Sequence, residues 1–250
     1  MLKKWYRAFL NELMKIKSYL ISNFLASNLD YGEYIDLQHR CDPLEFVDER
    51  TKILSSFVYL FTRLGEIGLL KKNVDIDSSG NEKVVGYNNS FLDVGTRDGY
   101  VVEFVNSFGF KTAKGIELLP DYVEYARSKG RNVELGDIHD LPFKTSTFDI
   151  VYCRHTIEHT LFPQKALKEL YRVVNNNGAL YVSFPLEMKP DGKHTAAIPN
   201  VKVLKNMIST LKPTPCVVYI GLSSKVGIIP QGNEVCVLTV KQDVYNSSKG

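Results

Sequence analysis

From Ser90 onward, short apolar runs alternate with segments of helical character, and this alternation constrains the fold more than any other feature of the chain. Strands are predicted over Phe91–Val94, Thr112–Glu117, Val133–Leu135, Phe148–Cys153, Gly178–Pro185, Cys216–Ile220 and Val235–Val240. Helices are predicted over Tyr100–Phe108, Asp121–Lys129, Pro163–Arg172 and Val201–Leu211. We therefore predict an α/β fold, with a mostly parallel seven-stranded sheet and helices on both faces. No helix separates the last two strands, which predicts a hairpin and an antiparallel C-terminal strand.

The first 74 residues carry a different pattern and are predicted to form an N-terminal helical extension or cap. Apolar residues recur at steps of three and four along Met1–Ala26 and again along Asp48–Leu70, as in amphipathic helices. The polar stretch Asp75–Ser90 is predicted to be a loop or a domain boundary, and the main domain is predicted over 75–250. The apolar face of Met1–Ala26 is suited to packing on its own domain, to a protein partner, or to contact with a membrane surface.

Composition excludes several classes of protein. Apolar residues make up 44% of the chain and charged residues 24%, as in ordinary globular proteins. The net charge of +3 gives no clear nucleic-acid signal. The four cysteines lack zinc-site spacing, so we expect no metal and a reducing, cytoplasmic setting. Charged residues interrupt the apolar N-terminal run, so we expect neither a secretion signal nor a membrane span.

Acidic residues end the first three predicted strands of the main domain. Asp93, Glu117 and Asp137 stand there, although Asp and Glu are depleted within strands. Ligands of parallel sheets bind outside the carboxyl ends of the strands, and Gly95 and Gly99 would let the backbone approach one closely. Glu117 lies 117 − 95 = 22 positions after Gly95, a spacing that suits a ribose diol. Asp137 could accept from an exocyclic amine such as that of adenine, or from a ligand ammonium.

Four stretches in this order resemble class I S-adenosylmethionine-dependent methyltransferases of the small-molecule methyltransferase-domain type. They are LDVGTRDG (Leu92–Gly99), GIEL (Gly115–Leu118), GDIHDLPFKTSTFDIVYCRHTIEH (Gly136–His159) and ALKELYRVVNNNGALYVSFP (Ala166–Pro185). The resemblance implies a Rossmann-like sheet, S-adenosyl-L-methionine as cofactor, and transfer of its methyl group to an unidentified acceptor, in the first place a small molecule. The acceptor would sit beneath the N-terminal helices and the loop Glu187–Asn200.

The resemblance also implies which residues hold the cofactor. Asp93, together with the turn that contains Gly95 and Gly99 (the glycine turn), would hold the methionine end of the cofactor. Glu117 would accept hydrogen bonds from the two ribose hydroxyls. Asp137 would accept a hydrogen bond from the adenine amine, with Ile138 beside the ring. The segment Cys153–His155 would run alongside the sulfonium and the methionyl part. The complete predicted set is Asp93, Gly95, Thr96, Arg97, Gly99, Glu117, Leu118, Asp137, Ile138 and Arg154.

Arg97 departs from the family, which usually has glycine at this position. The long cationic side chain could pair with the carboxylate of the cofactor, point to solvent, or obstruct the pocket. These three alternatives have different consequences for activity.

Two histidines follow the predicted fourth strand. Methyl transfer from a sulfonium needs a base only when the acceptor must first lose a proton. His155 and His159 are the candidate catalytic residues, and the family often has the Glu158-His159 pair at this place. Either histidine could instead have a structural role.

Two other functions compete with an active methyltransferase. A nicotinamide dehydrogenase would need glycine where Arg97 stands in the G-x-G-x-x-G pattern. A catalytically inactive methyltransferase-fold protein could act as a binding or assembly subunit through Met1–Ala26. The three strand-end carboxylates favour an occupied cofactor site.

Overall fold

A computed structural model of the chain describes residues 53, 56–57, 60–160, 162–185, 201–213, 215–222 and 234–241. All of them belong to a compact unit that runs from Lys52 to Gly250. The predicted helix Met1–Ala26 and the loop Glu187–Asn200 lie outside the described residues. The predicted boundary between residues 74 and 75 stays a prediction.

The described part of the chain is built on a mixed sheet of eight strands. The strands are β1 (Lys72–Ile76), β2 (Glu82–Val94), β3 (Phe110–Glu117), β4 (Val133–Leu135), β5 (Phe148–Arg154), β6 (Val174–Pro185), β7 (Cys216–Leu222) and β8 (Glu234–Val240). Seven follow the order β4-β3-β2-β5-β6-β8-β7, and β1 pairs with β2 beside this path. Strands β2 to β6 are parallel where they pair, whereas β8 is antiparallel to both neighbours. The predicted seven-stranded, mostly parallel sheet with an antiparallel C-terminal strand is confirmed.

Helices cover both faces of this sheet, as predicted. They are α1 (described at 53, 56–57 and 60–66), α2 (Tyr100–Ser107), α3 (Pro120–Ser128), α4 (Pro163–Val173) and α5 (Val201–Ser209). Successive residues of a strand point to opposite faces. Phe91 accordingly meets aromatic rings of α1 and β3, whereas Leu92 joins a cluster with apolar residues of α4 and α5.

Aromatic side chains on one face of the sheet pack α1 against the sheet and against α2. The rings of Phe57 and Phe104 lie 5.3 Å apart in an edge-to-face arrangement, and Phe61 meets Tyr87 at 5.0 Å in the same way. The hydroxyl of Ser56 also lies 2.6 Å from that of Tyr181 on β6. Edge-to-face pairs add to the stabilisation from apolar burial, so α1 contributes to the core of this unit.

The opposite face encloses a cavity of about 10 Å³ between α4, α5 and the sheet, lined among others by Leu167, Leu204 and Val237. Ligand sites usually enclose roughly 300 to 1,000 Å³. This cavity is a small packing void, and a ligand site has to be sought elsewhere.

The prediction of a loop over Asp75–Ser90 is wrong. Strands β1 and β2 pair there as an antiparallel hairpin, and Asp77 accepts backbone hydrogen bonds from Ser79 and Asn81 in its turn at 2.9 and 2.8 Å. Most residues of the hairpin are exposed. Such a strand is stabilised by its pairing and its turn, and therefore it lacks the apolar pattern on which the prediction depended.

Among the described residues, no helix combines the length and the apolar character needed to cross a membrane.

Candidate functional site

The carboxyl ends of β2, β3 and β4 bring the three predicted acids to one edge of the sheet. Asp93 pairs in register with Gly115 of β3, and Glu117 pairs with Leu135 of β4. The amide of Gly136, directly before Asp137, donates to the carbonyl of Glu117 at 2.9 Å. Strand order reverses around β2, which lies between β3 and β5. The site therefore occupies the position where open α/β sheets bind ligands.

Two glycines shape the turn between β2 and α2. Gly95 has φ 75°, and a Cβ atom at this position would collide with the side chain of Thr156. Gly99 has φ 74°, and its Cβ would lie 2.7 Å from a methyl group of Val133. The amides of Gly95 and Thr96 both donate to the carbonyl of Ile116, at 2.8 and 3.1 Å. Only glycine fits these two positions, and the turn is held against the end of β3.

Asp93 lies beneath this turn with only 3% of its surface exposed. The surroundings raise the pKa of its carboxyl to about 7: burial is the largest cause and Glu117 and Asp98 act in the same direction, while Thr96 and Arg154 oppose the shift. Its Oδ2 atom has no hydrogen-bond partner among the described residues. A buried carboxylate oxygen without a partner is costly, and a cationic ligand group would offset that cost.

Glu117 has a structural role that the sequence did not reveal. Its Oε2 atom accepts from the amide of Arg97 at 2.8 Å, and its Oε1 atom accepts from the amides of Leu118 and Leu119 at 2.9 and 3.1 Å. The carboxylate thus joins the glycine turn to the end of β3. A carboxylate has about four acceptor positions, so one remains for a ligand hydroxyl.

Arg97 is exposed and has φ 51°, in the left-handed region that favours glycine. Its guanidinium carbon lies 5.7 Å from the centre of the Tyr122 ring on α3. In this structure the side chain is therefore directed over α3, and it does not fill the space beneath the glycine turn.

Arg131, which is distant in sequence from the glycine turn, stabilises it by direct contacts. Its guanidinium, which is largely buried, donates to the backbone carbonyl of Asp98 at 2.8 Å and to the carboxylate of Glu103 at 2.7 Å. Burial opposes its charge, but the carboxylates of Asp98 and Glu103 together raise the pKa of Arg131. Sequence reasoning missed this residue, because it meets its partners only through the fold.

Asp137 pairs with His139, which sequence reasoning also missed. Its Oδ1 atom accepts from the backbone amide of His139 at 2.8 Å and lies 2.7 Å from Nδ1 of the same residue. These contacts, the backbone hydrogen bond first, lower the pKa of Asp137. Ile138 between them is buried, whereas Leu118 on the neighbouring strand end is 61% exposed.

The segment after β5 carries the remaining predicted residues. Arg154 is buried at the end of β5, and the amide of His155 donates to the carbonyl of Ser183 on β6 at 2.9 Å. His159 ends a short 3₁₀ helix, Ile157–His159, and is exposed. The structure thus places both histidines at the same edge of the sheet as the acids, while their catalytic role stays a prediction.

Cys153 is no candidate nucleophile. Burial raises the pKa of its thiol strongly, and the carboxylates of Glu158 and Asp93 add to the shift. Nucleophilic cysteines need a stabilised thiolate. The described residues also contain no group of three or more His, Cys, Asp or Glu side chains that could hold a metal ion.

Comparison with known proteins gives a family match for the part of the chain that holds this site. Residues 92–182 match the Methyltransferase domain family. This match confirms the predicted resemblance to class I S-adenosylmethionine-dependent methyltransferases. All of the predicted cofactor and catalytic residues, from Asp93 to His159, lie within the matched segment 92–182.

Two curated relatives each match about 100 residues of this chain. The 2-methyl-6-phytyl-1,4-hydroquinone methyltransferase 1, chloroplastic, of Oryza sativa subsp. japonica is 31% identical over 100 residues, 38% of this chain and 30% of that protein. Sterol 4-C-methyltransferase strm-1 of Caenorhabditis elegans is 28% identical over 99 residues, 36% of this chain and 29% of that protein. The chain spans less than a third of the length of these relatives.

A solved structure shares the fold of the domain. A SAM-dependent methyltransferase from Methanosarcina mazei superposes with a TM-score of 0.50 at 14% identity, covering 62% of this chain and 93% of that chain. At this identity the similarity supports the Rossmann-like methyltransferase fold alone.

Proposed function

We propose that this chain is an S-adenosylmethionine-dependent methyltransferase that acts on a small molecule by in-line displacement. The observation that carries the proposal is the buried carboxylate of Asp93, whose Oδ2 atom has no hydrogen-bond partner among the described residues. The methionine end of the cofactor carries an ammonium group, which would compensate a negative charge there.

The surroundings of Asp93 suit the rest of the cofactor. Gly95 and Gly99 have positive φ angles and shape the turn so that it packs against Thr156 and Val133, beside the edge of the sheet where the acids meet. Glu117 keeps an acceptor position for a ribose hydroxyl, and the exposed Leu118 offers an apolar surface to a flat base. The proposed cofactor-binding set is Asp93, Gly95, Thr96, Arg97, Gly99, Glu117, Leu118, Asp137, Ile138 and Arg154.

When bound, the cofactor supplies a methyl group that is already activated on a sulfonium. The residues of this chain then have to align the acceptor and exclude water. An acceptor that must lose a proton also needs a base, and we propose His159 or His155 for this step. His159 is the more accessible of the two to an acceptor, since its side chain is exposed.

The acceptor is proposed to be a small molecule because two relatives bear the names of such acceptors, a phytyl hydroquinone and a sterol. We further propose that residues 75–250 hold the methyltransferase site and that residues 1–74 form an N-terminal extension.

Binding of the cofactor tests the proposal directly. We expect the purified chain to bind S-adenosylmethionine and S-adenosylhomocysteine in calorimetry. The Glu117→Ala variant should bind both more weakly by about 1 to 3 kcal/mol, because it loses an acceptor and an anchor of the glycine turn. The control is Glu124→Ala, which removes an exposed carboxylate on α3 and should leave binding unchanged.

Failure of the wild-type chain to bind either compound would contradict the proposal. Incubation with labelled S-adenosylmethionine and fractionated small-molecule extracts then separates an enzyme from an inactive subunit. Tight binding without any labelled product would favour the binding or assembly function.

A further inference from the structure

The side chain of His139 is held between Asp137 and an aromatic residue of a different element. Its Nδ1 atom lies 2.7 Å from Oδ1 of Asp137. Its ring lies 6.0 Å from the ring of Phe162, with an angle of 75° between the two planes. Phe162 immediately precedes α4, whereas Asp137 follows β4. The imidazole is therefore restrained from two sides.

The contact with Asp137 determines which ring nitrogen carries the proton. The lowered pKa of Asp137 keeps its carboxylate ionised near neutral pH, and an ionised carboxylate can only accept hydrogen bonds. Nδ1 of His139 must therefore be the donor, and in the neutral ring Nε2 carries the lone pair. This Nε2 atom is buried and has no hydrogen-bond partner in the part of the chain that the structure describes.

The same contact orients the carboxylate of Asp137. Two donors of His139, its backbone amide and its ring, converge on the Oδ1 atom. The side chain of Asp137 is nevertheless 50% exposed. One oxygen is thus held by the protein, which leaves Oδ2 to accept from a ligand in a fixed direction.

We propose that His139 is a positioning residue, which holds Asp137 so that its Oδ2 atom accepts from the 6-amino group of the cofactor's adenine and discriminates against a 6-oxopurine. This inference rests on the proposed function. A 6-oxo group would turn a lone pair toward the carboxylate, and a site built to accept from a ligand N–H rejects an analogue that lacks it. A carboxylate that rotates freely would discriminate less between the two purines, because its side chain must become ordered when the ligand binds and this lowers the affinity.

The test compares S-adenosylhomocysteine with S-inosylhomocysteine, its 6-oxo analogue, by calorimetry on the full chain. We expect wild type to prefer the adenosyl compound and His139→Ala to reduce that preference by about tenfold, the value of one lost hydrogen bond. His139→Asn should keep most of the preference, because its amide nitrogen occupies the place of Nδ1. His139→Gln should behave like His139→Ala, because its amide lies one bond further out.

The outcomes separate this inference from the proposed function. Wild type that binds neither compound overturns both. Tight binding of S-adenosylhomocysteine with an equal preference in wild type and His139→Ala overturns the inference alone. The same holds if His139→Gln keeps the preference and His139→Asn loses it, which would indicate a ligand contact through Nε2.

A measurement on the wild-type chain needs neither ligand nor variant. Long-range ¹H–¹⁵N NMR correlations should show the neutral His139 ring protonated on Nδ1. A ring protonated on Nε2 would overturn the inference and leave the proposed function intact.

Discussion

At the scale of single residues, the surroundings of three strand-end carboxylates make them chemically different. Asp93 is enclosed, and its pKa lies near neutrality. Glu117 is also buried, but it accepts from three backbone amides. Asp137 is half exposed, and its pKa is lowered by the contacts with His139. The same chemical group, a carboxylate, therefore offers a site for a cation, an anchor for the turn, and an oriented acceptor.

The raised pKa of Asp93 predicts a stability that depends on pH. Between its ordinary value of 3.8 and about 7, the folded chain holds a proton that the unfolded chain has released. The contribution of Asp93 to the free energy of unfolding therefore falls as pH rises through this window. Asp93→Asn removes the effect, so its stability relative to wild type should rise by up to about 4 kcal/mol from about pH 4 to about pH 8.

Urea unfolding at a series of pH values measures this difference. Asp121→Asn, an exposed acid on α3, serves as the control and should track wild type at every pH. A difference between Asp93→Asn and wild type that does not change with pH would contradict the burial of the charge.

The positions of the strand-end acids could be predicted from the sequence, whereas their partners mostly could not. Parallel strands end at one edge of a sheet, and therefore Asp93, Glu117 and Asp137 were expected to lie together. Arg131 meets Asp98 across 33 positions, and no local pattern indicates such a pair. His139 could have been found, since an Asp side chain commonly accepts from the amide two residues later.

At the scale of elements, strands and helices were predictable where one face is buried. The apolar runs from Phe91 onward coincide with strands, because burial of a strand requires apolar residues and the prediction depends on such runs. The hairpin of β1 and β2 is mostly exposed and was missed for the same reason. Its pairing depends on backbone hydrogen bonds, which any side chain permits.

Lys241, the residue that follows β8, stabilises the end of α4. The residue is 4% exposed, and its ammonium donates to the carbonyl of Val174 at 2.8 Å and approaches those of Tyr171 and Arg172 at 3.4 Å. The last carbonyls of a helix lack partners within the helix. Lys241 therefore satisfies the end of α4 and joins it to the residue that follows β8.

We expect Lys241→Met to lower the free energy of unfolding by about 1 to 3 kcal/mol, because buried carbonyls lose their donor. Lys168→Met replaces an exposed lysine on α4 and should change stability by less than about 0.5 kcal/mol. Thermal unfolding followed by circular dichroism measures both variants. Equal melting temperatures for the two would show that the buried ammonium does not cap the helix.

At the scale of the whole molecule, α1 belongs to the core although the sequence groups it with the N-terminal extension. Its phenylalanines contact rings of β2 and α2, and the compact unit begins at Lys52. Removal of this helix would expose a large aromatic surface to water, at a cost that follows the area exposed.

The stabilities of two fragments distinguish two possible starts of the folded domain: residue 75, as predicted from the sequence, and residue 52, where the compact unit begins. We expect the fragment 52–250 to unfold in one cooperative thermal transition and to remain monomeric in sedimentation. The fragment 75–250 lacks Phe57 and Phe61 and should aggregate or lose this transition, because the rings of Phe91 and Phe104 would become exposed to water. Equal melting temperatures for the two fragments would place the boundary at 74/75.

The sequence by itself determined the order of strands and helices from Phe91 onward, the two glycine positions and the edge of the sheet where the acids meet. Each of these follows from local physics: the periodicity of burial, the steric freedom of glycine and the common direction of parallel strands. Only the tertiary structure decided that Asp93 is buried without a full set of partners, that Arg97 turns over Tyr122, and that His139 holds Asp137. Burial and side-chain direction depend on neighbours brought together from distant parts of the chain, and no local pattern records them.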